Sequence, residues 1–367
     1  MKLGLIFNIA PKYRENIYHL LDNAFDCYWY FGQNNTDIKS MNLKLLKNVT
    51  IGENRKIYKS YYWQRGVFQF KKQKVVDAYL LLGNPFCLSM WLLLIQLSLF
   101  HPSIRIYMWT HGWYGRETFF KKKIKKIFFE MTDGVFLYGN YAKQLMVQEG
   151  FNAKKLFVVH NSLNYEQQLS LRNLMKTEDI YLKHFGNKNH TLIFIGRLTS
   201  VKKINLLIET IAFLKKQKQY FNLVIVGDGA EKENLQQLAL KKGLLKNIWF
   251  YGACYDESIN ARLLYNADLC VSPGNVGLTA IHSLMFGTPV VTHNSFENQM
   301  PEFEAIKEGK TGAFFLQNDI YSMANVISNW FNMKISREQI RQNCYTEIDT
   351  QWNPRYQMRL FLKVLNS

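Results

Sequence analysis

Cysteine, proline and acidic side chains are all scarce in this chain of 367 residues. Its five cysteines (Cys27, Cys87, Cys254, Cys270 and Cys344) are odd in number and scattered. They form no Cys-x-x-Cys pair, and none joins histidine at zinc-ligand spacing. That excludes a disulfide scaffold and a structural zinc site, and it fits a reducing compartment. With seven prolines and no low-complexity tract, the chain is not a disordered or fibrous one, and 48% apolar residues suffice for a sizeable core. The opening MKLGLIFNIAPKY is too short in its apolar run for a secretory signal. The longest apolar run, Pro85 to Phe100, has 16 residues including Gln96. A membrane span needs about 20, so a buried helix is expected.

What is abundant is positive charge. The 46 Lys+Arg outnumber the 28 Asp+Glu, for a net +18, of which residues 1–165 carry +13. An anionic partner follows. No nucleic-acid recognition motif accompanies the charge, so a nucleic-acid partner is not expected.

Strand-like runs ending in Gly, Asn or Pro alternate with helix-period segments. Strands are expected at 3–9, 77–82, 104–110, 135–138 and 156–160, then at 192–196, 223–227, 248–251, 269–272 and 290–292. Alternation of this kind specifies parallel sheets covered on both faces. The polar stretch 166–190 separates the two series. The expected fold is α/β, with two doubly wound Rossmann-like domains and a cleft between them. Its parts are 1–165, a linker at 166–190, 191–349, and a final helical segment 350–367 that returns to the first domain. Ligands of such folds bind outside the carboxyl ends of the strands.

Four segments stand at such ends. The first is Gly196-Arg197-Leu198-Thr199-Ser200-Val201-Lys202, where Arg as a fork and Lys as a point charge suit a diphosphate. The second is Gly227-Asp228-Gly229-Ala230-Glu231, a glycine-bearing turn into a helix. The third contains Gly274, Asn275, Val276, Gly277, Leu278 and Thr279, with His282 one turn on; a helix start here offers amides to an anion. The fourth, Trp109-Thr110-His111-Gly112-Trp113-Tyr114, places a histidine among aromatic rings that stack on sugar faces. Each has a plainer reading as a strand–turn–helix junction or a packed histidine.

Taken in order, Gly-Arg-Leu-x3-Lys, Gly-Asp-Gly-x-Glu, Ala-Asp-x3-Ser-Pro and a downstream Gly-x-Pro-Val-Val resemble glycosyltransferase family 4. His111-Gly112 and Val159 to Asn164 match as well, and the likeness covers about residues 75–320. The resemblance implies the GT-B fold, a nucleotide-diphosphate sugar as substrate, retention of anomeric configuration, and neither metal nor cofactor. It implies that Arg197 and Lys202 neutralise the diphosphate, with Gly196, Gly227 and Asp228 beside them, and that His111 holds the donor sugar. The family's Glu-x7-Glu pair is replaced by Gly274 and His282, and Glu302 of Met300-Pro301-Glu302 is a candidate substitute carboxylate. A sugar-nucleotide epimerase and an inactive scaffold of the same fold are the alternatives.

The segment Phe119 to Met131 (FFKKKIKKIFFEM) has an interfacial pattern: Phe119, Phe120, Ile124, Ile127, Phe128 and Met131 on one helix face, with Lys121, Lys122, Lys123, Lys125 and Lys126 over the rest. With Trp113 and Tyr114 nearby, an anionic membrane surface and a glycan or polyprenyl-diphosphate-linked acceptor are the expected partners. The expected location is cytoplasmic, peripheral on the inner face of the plasma membrane, in assembly of a bacterial surface polysaccharide.

Overall fold

A computed structural model describes residues 1–33 and 38–367 of the chain. It divides into two compact units, one of residues 1–164 with 353–367 and one of residues 165–352.

The first unit is built on an eight-stranded sheet: β1 (Lys2–Phe7), β2 (Asp26–Gln33), β3 (Val49–Tyr58), β4 (Tyr61–Arg65), β5 (Ala78–Leu82), β6 (Arg105–Thr110), β7 (Gly134–Leu137) and β8 (Leu156–Val158). The spatial order is β4-β3-β2-β1-β5-β6-β7-β8. All neighbours run parallel except β3 and β4, which pair antiparallel with Glu53 opposite Arg65. β1, β5 and β6 are nearly continuous apolar runs because helices cover both faces of the sheet. The core is unusually aromatic: Trp29 stacks on Phe31, and Phe7 and Tyr18 pack on both Trp29 and Trp109.

The last helix, Pro354–Leu365, belongs to this first unit. Asn353 caps it by accepting from the Tyr356 amide, and Pro354 occupies its first turn, where no amide partner is needed. Its buried stripe includes Met358, Phe361 and Leu365, with the Phe361 ring 4.6 Å from Phe136 and 5.1 Å from Trp109. Removing such a ring typically costs roughly 3–5 kcal/mol, so this helix is integral to the unit.

The second unit carries β9 (Thr191–Ile195), β10 (Asn222–Val226), β11 (Ile248–Gly252), β12 (Leu269–Ser272), β13 (Val290–His293) and β14 (Gly312–Phe315) in the all-parallel order β11-β10-β9-β12-β13-β14. The segment expected to be a linker is not one. It forms helices Tyr165–Leu174 and Ile180–Phe185, which dock on this unit. The Tyr181 hydroxyl donates to the Leu263 carbonyl at 2.6 Å, and Arg172 pairs with Asp349.

Four strands, β2, β3, β4 and β14, were not expected. β2 follows helix Glu15–Ala24 with no Gly or Pro between them, and its DCYWYFGQ lacks alternation because both faces are buried. β3 and β4 lie at the sheet edge and are polar and largely exposed, so they carry no apolar signature.

Candidate active site

Each sheet has one place where the chain reverses its direction of travel across the strands: β1/β5 in the first unit and β9/β12 in the second. Connections leave to opposite sides there, so the loops part and open a crevice at the carboxyl ends.

In the second unit, three of the sequence-derived segments meet at this place. Gly196 follows β9, and its amide donates to Val226; the Leu198 amide donates to the Asp228 carbonyl, and Glu231 donates back to Leu198. A side chain at Gly227 would put its Cβ 1.9 Å from the Gly196 carbonyl oxygen, so only glycine permits this contact. Asp228 is occupied with its own turn, accepting from the Gly229 amide at 2.8 Å and from Lys232 at 2.8 Å. Arg197 is exposed at the end of β9.

Lys202 does not begin the following helix, which runs Ile204–Lys216. It sits in a 3-10 turn, Ser200–Lys202, ended by Lys203 in the left-handed region at φ 51°. Its ammonium donates to the carbonyl and side-chain oxygens of Asn275 at 2.7 and 2.9 Å. Burial pushes the Lys202 ammonium down to about 8, against the favourable charge of Glu302 and with the opposing charge of Arg197. Such a cation is poorly compensated, and Glu302 is itself buried. An incoming polyanion would stabilise its protonated form.

After β12, Gly274 packs against this turn: its amide donates to the Lys202 carbonyl at 3.0 Å, and a Cβ there would lie 2.0 Å from the Val201 carbonyl oxygen. The amides of Gly274 and Val276 are therefore committed, the latter to Gln299. Leu278 caps a helix of seven residues, Thr279–Met285, and the Thr279 hydroxyl donates to the Ile195 carbonyl, tying this helix start to β9. His282 is held from outside its helix. Its Nε2 lies 2.9 Å from Oε1 of Glu257, an oxygen that also accepts from Gln168 at 2.8 Å. Burial acts to raise the Glu257 carboxyl, but the His282 charge and the two hydrogen bonds outweigh it and hold it below its usual value.

In the first unit a cavity of about 590 Å³ opens at the β1/β5 reversal. Its walls include Asn8 and Arg14 after β1, Gly83 to Phe86 after β5, His111 and Tyr114 after β6, and Tyr138 after β7. His111 is pushed down to about 4, first by burial and then by the charges of Arg14 and Lys125. It is a neutral imidazole at neutral pH, and its Nδ1 is buried without a hydrogen-bond partner among the described residues. The Tyr114 ring lies over it, 6.0 Å away at 24°.

Trp113 does not provide a stacking face. It is buried against Phe129 and Phe151, with the Lys125 ammonium 4.6 Å above its ring. Lys125 is likewise not a surface cation; it pairs with Glu117 at 2.6 Å and donates to the Gly112 carbonyl. Within helix Phe119–Glu130 the apolar residues divide. Phe128 and Phe129 enter the core, while Phe119, Phe120, Ile124 and Ile127 face outward at 47–76% exposure. Lys122 and Lys126 engage Glu149, by ion pair and by its carbonyl. Lys121 and Lys123 stay at the surface. Leu92, Ile95, Leu99 and Phe100 of the neighbouring helix Leu88–Phe100 are also exposed. Among the described residues no helix is long and apolar enough to cross a membrane.

No sequence motif marks Arg14, Asn84, Glu257 or Gln168. Arg14 falls in the first 75 residues, where no motif guided it. Glu257 lies 25 positions from its partner and looks like an ordinary first-turn acid.

Comparison with known proteins agrees with this architecture. Residues 177–347, which lie within the second unit, match the family described as glycosyl transferases group 1. An uncharacterized 41.2 kDa protein in the cps region of Klebsiella pneumoniae is 22% identical over 62% of this chain and 61% of its own length. An uncharacterized glycosyltransferase of Haemophilus influenzae is 29% identical over 37% of the chain and 38% of its own length. The chain thus spans about three fifths of the first of these relatives and two fifths of the second. Among solved structures, the lipopolysaccharide outer core galactosyltransferase WaaB superposes with a TM-score of 0.74 at 15% identity, covering 100% of this chain and 99% of WaaB. Anabaena HepE, solved with UDP, gives 0.74 at 14% identity, covering 100% and 99%. The fold is therefore GT-B, with two Rossmann-like units.

Proposed function

We propose that the protein transfers a sugar from a nucleotide-diphosphate sugar to a glycan acceptor during assembly of a bacterial surface polysaccharide, with retention of anomeric configuration and without a metal ion. The observation that carries this reading is the meeting of Arg197, the half-buried Lys202 and the Thr279–Met285 helix start at the β9/β12 reversal. Transfer breaks the bond from the anomeric carbon to the diphosphate oxygen and forms one to an acceptor hydroxyl. That hydroxyl's proton leaves with the diphosphate. The barrier falls most when positioned cations meet the charge developing on the departing group. Arg197 and Lys202 serve that role, and the depressed Lys202 makes its protonation respond to the polyanion. His111, neutral at physiological pH, is the hydrogen-bonding group that the first unit offers to a sugar hydroxyl.

We assign His282, steadied by Glu257, to the donor ribose in place of the family's carboxylate. With Nε2 engaged by Glu257, Nδ1 is the ring nitrogen left to hydrogen-bond a ribose hydroxyl. The acceptor is lipid-linked in this reading, and the protein attaches to the inner face of the membrane through the outward apolar side chains of helices Leu88–Phe100 and Phe119–Glu130, with Lys121 and Lys123 on the second. Their chemistry, apolar with basic neighbours, suits an anionic leaflet. The settings of the similar proteins, a cps region and a lipopolysaccharide outer core, support the polysaccharide context.

The test is incubation with a panel of nucleotide sugars and a membrane extract, followed by NMR of the product. Transfer with the donor's anomeric configuration agrees with the proposal. Epimerised nucleotide sugar, or no binding of any donor, contradicts it.

A further inference from the structure

Among the described residues, the first unit buries a cation that has no anion. Arg14 is 8% exposed, and its guanidinium donates to the hydroxyls of Tyr18 at 3.2 Å and Tyr138. Its central carbon lies 4.7 Å from the centroid of the Trp109 ring, and its Nε has no hydrogen-bond partner among the described residues. Among the described residues it makes no ion pair with any carboxylate. Neutral hydroxyls and a ring face do not discharge a buried guanidinium, and burying an uncompensated charge costs several kcal/mol. A fold tolerates that where a ligand supplies the counter-charge.

Arg14 lines the cavity of about 590 Å³ at the β1/β5 reversal, together with Arg116, Lys121 and Lys125. Among the described residues the cavity's single lining carboxylate, Glu117, is taken by Lys125 at 2.6 Å. Arg14 and Lys121 remain as surplus positive charge among the described residues. One carboxylate would match one of them; a phosphate monoester carries about −1.5 to −2 at pH 7 and a forked guanidinium suits its oxygens. Phe86 and Phe129 stand in the same wall, so the group bearing the phosphate also meets apolar surface.

We propose that this cavity is a phosphate-binding site with Arg14 as its central cation, and that the phosphate it holds belongs to the acceptor. The second clause rests on the glycosyl-transfer reading; the first stands on Arg14 and the cavity alone. Two sources share the chemistry, a prenyl phosphate lipid and a soluble phosphorylated sugar.

Calorimetric titration with inorganic phosphate, farnesyl phosphate, farnesol and UDP separates them, using wild type, Arg14→Gln, Arg14→Lys and Arg197→Ala, each first checked for a native melting transition. Lys121→Gln, an exposed change, covers the case in which Arg14 variants fail to fold. The expected result is binding of both phosphates but not farnesol. Affinity for them falls tenfold or more in Arg14→Gln, less in Arg14→Lys and two- to fivefold in Lys121→Gln, and is unchanged in Arg197→Ala. UDP should show the reverse dependence. Tighter binding of farnesyl phosphate than of inorganic phosphate supports a lipid source, and equal binding supports a soluble one. If phosphate binding ignores Arg14 and Lys121, the site is overturned. If Arg14→Gln abolishes UDP binding as well, the cavity serves the nucleotide and the acceptor assignment is overturned. If phosphates bind and UDP does not, the donor reading fails while the phosphate site stands.

Discussion

The amide of Gly274 donates to the carbonyl of Lys202 at 3.0 Å, and a Cβ at position 274 would come within 2.8 Å of Lys202 Cα and 2.0 Å of the Val201 carbonyl oxygen. The residue in the place of a family carboxylate is therefore a packing contact that fixes the 200–202 turn. Restoring the carboxylate should harm the protein. Gly274→Ala is expected to lose roughly 1–3 kcal/mol of stability, and Gly274→Glu to lose donor binding as the 200–202 turn is displaced. Thermal melts and nucleotide titrations check both; a Gly274→Glu protein with wild-type melting and better donor binding would refute the packing role.

The Glu257–His282 pair yields a second prediction. His282→Ala should weaken UDP binding about tenfold, while binding of pyrophosphate, which has no ribose, stays unchanged. Glu257→Gln should have a smaller effect in the same direction, because the acceptor oxygen is kept. His282→Glu places two carboxylates together and should be worse than His282→Ala. Equal losses for UDP and pyrophosphate would place His282 in packing and not at the ribose.

A third concerns pH. His111 is held near 4 in the folded protein against 6.5 when unfolded. The unfolded chain then binds more protons between these values, so this group's stabilisation is complete above pH 6.5 and is lost progressively as pH falls toward 4. The difference amounts to about 2–3 kcal/mol. Denaturant melts at pH 7.5 and pH 4.5 should show a smaller loss for His111→Asn than for wild type. Parallel losses would show that the imidazole is not buried as described.

For the membrane face, cosedimentation with anionic vesicles should fall with salt. Binding should drop by about 1 kcal/mol for each of Lys121→Glu and Lys123→Glu, and by more for Phe119→Ser with Phe120→Ser. Lys125→Glu is expected to destabilise the protein, since it breaks the internal pair with Glu117. Concentration-dependent dimerisation in place of vesicle binding would assign the apolar face to a second copy of the chain.

Much of this was legible in the sequence where backbone chemistry is local. The strand-ending glycines marked β9 and β10, and the Gly-Arg-Leu-x3-Lys run announced a cationic loop, because such turns need particular residues at fixed offsets. Three things were not legible. β2 hides its period because both faces are buried. The direction of Phe119 and Phe120 depends on which side of their helix the core claims, and helical spacing alone placed them with Phe128, which points the other way. The isolation of Arg14 is a property of its three-dimensional surroundings, since Glu15 beside it in sequence pairs with Lys12 instead.

The central claim is that a nucleotide diphosphate is held by Arg197 and Lys202. Its most direct measurement is calorimetric titration of nucleoside diphosphates into wild type, Arg197→Ala and Lys202→Ala, with and without EDTA. A charge-assisted contact contributes roughly 1.5–3 kcal/mol, so each substitution should weaken binding tenfold or more, and EDTA should change nothing. Wild-type affinity in both folded variants, or binding abolished by EDTA, would contradict the account.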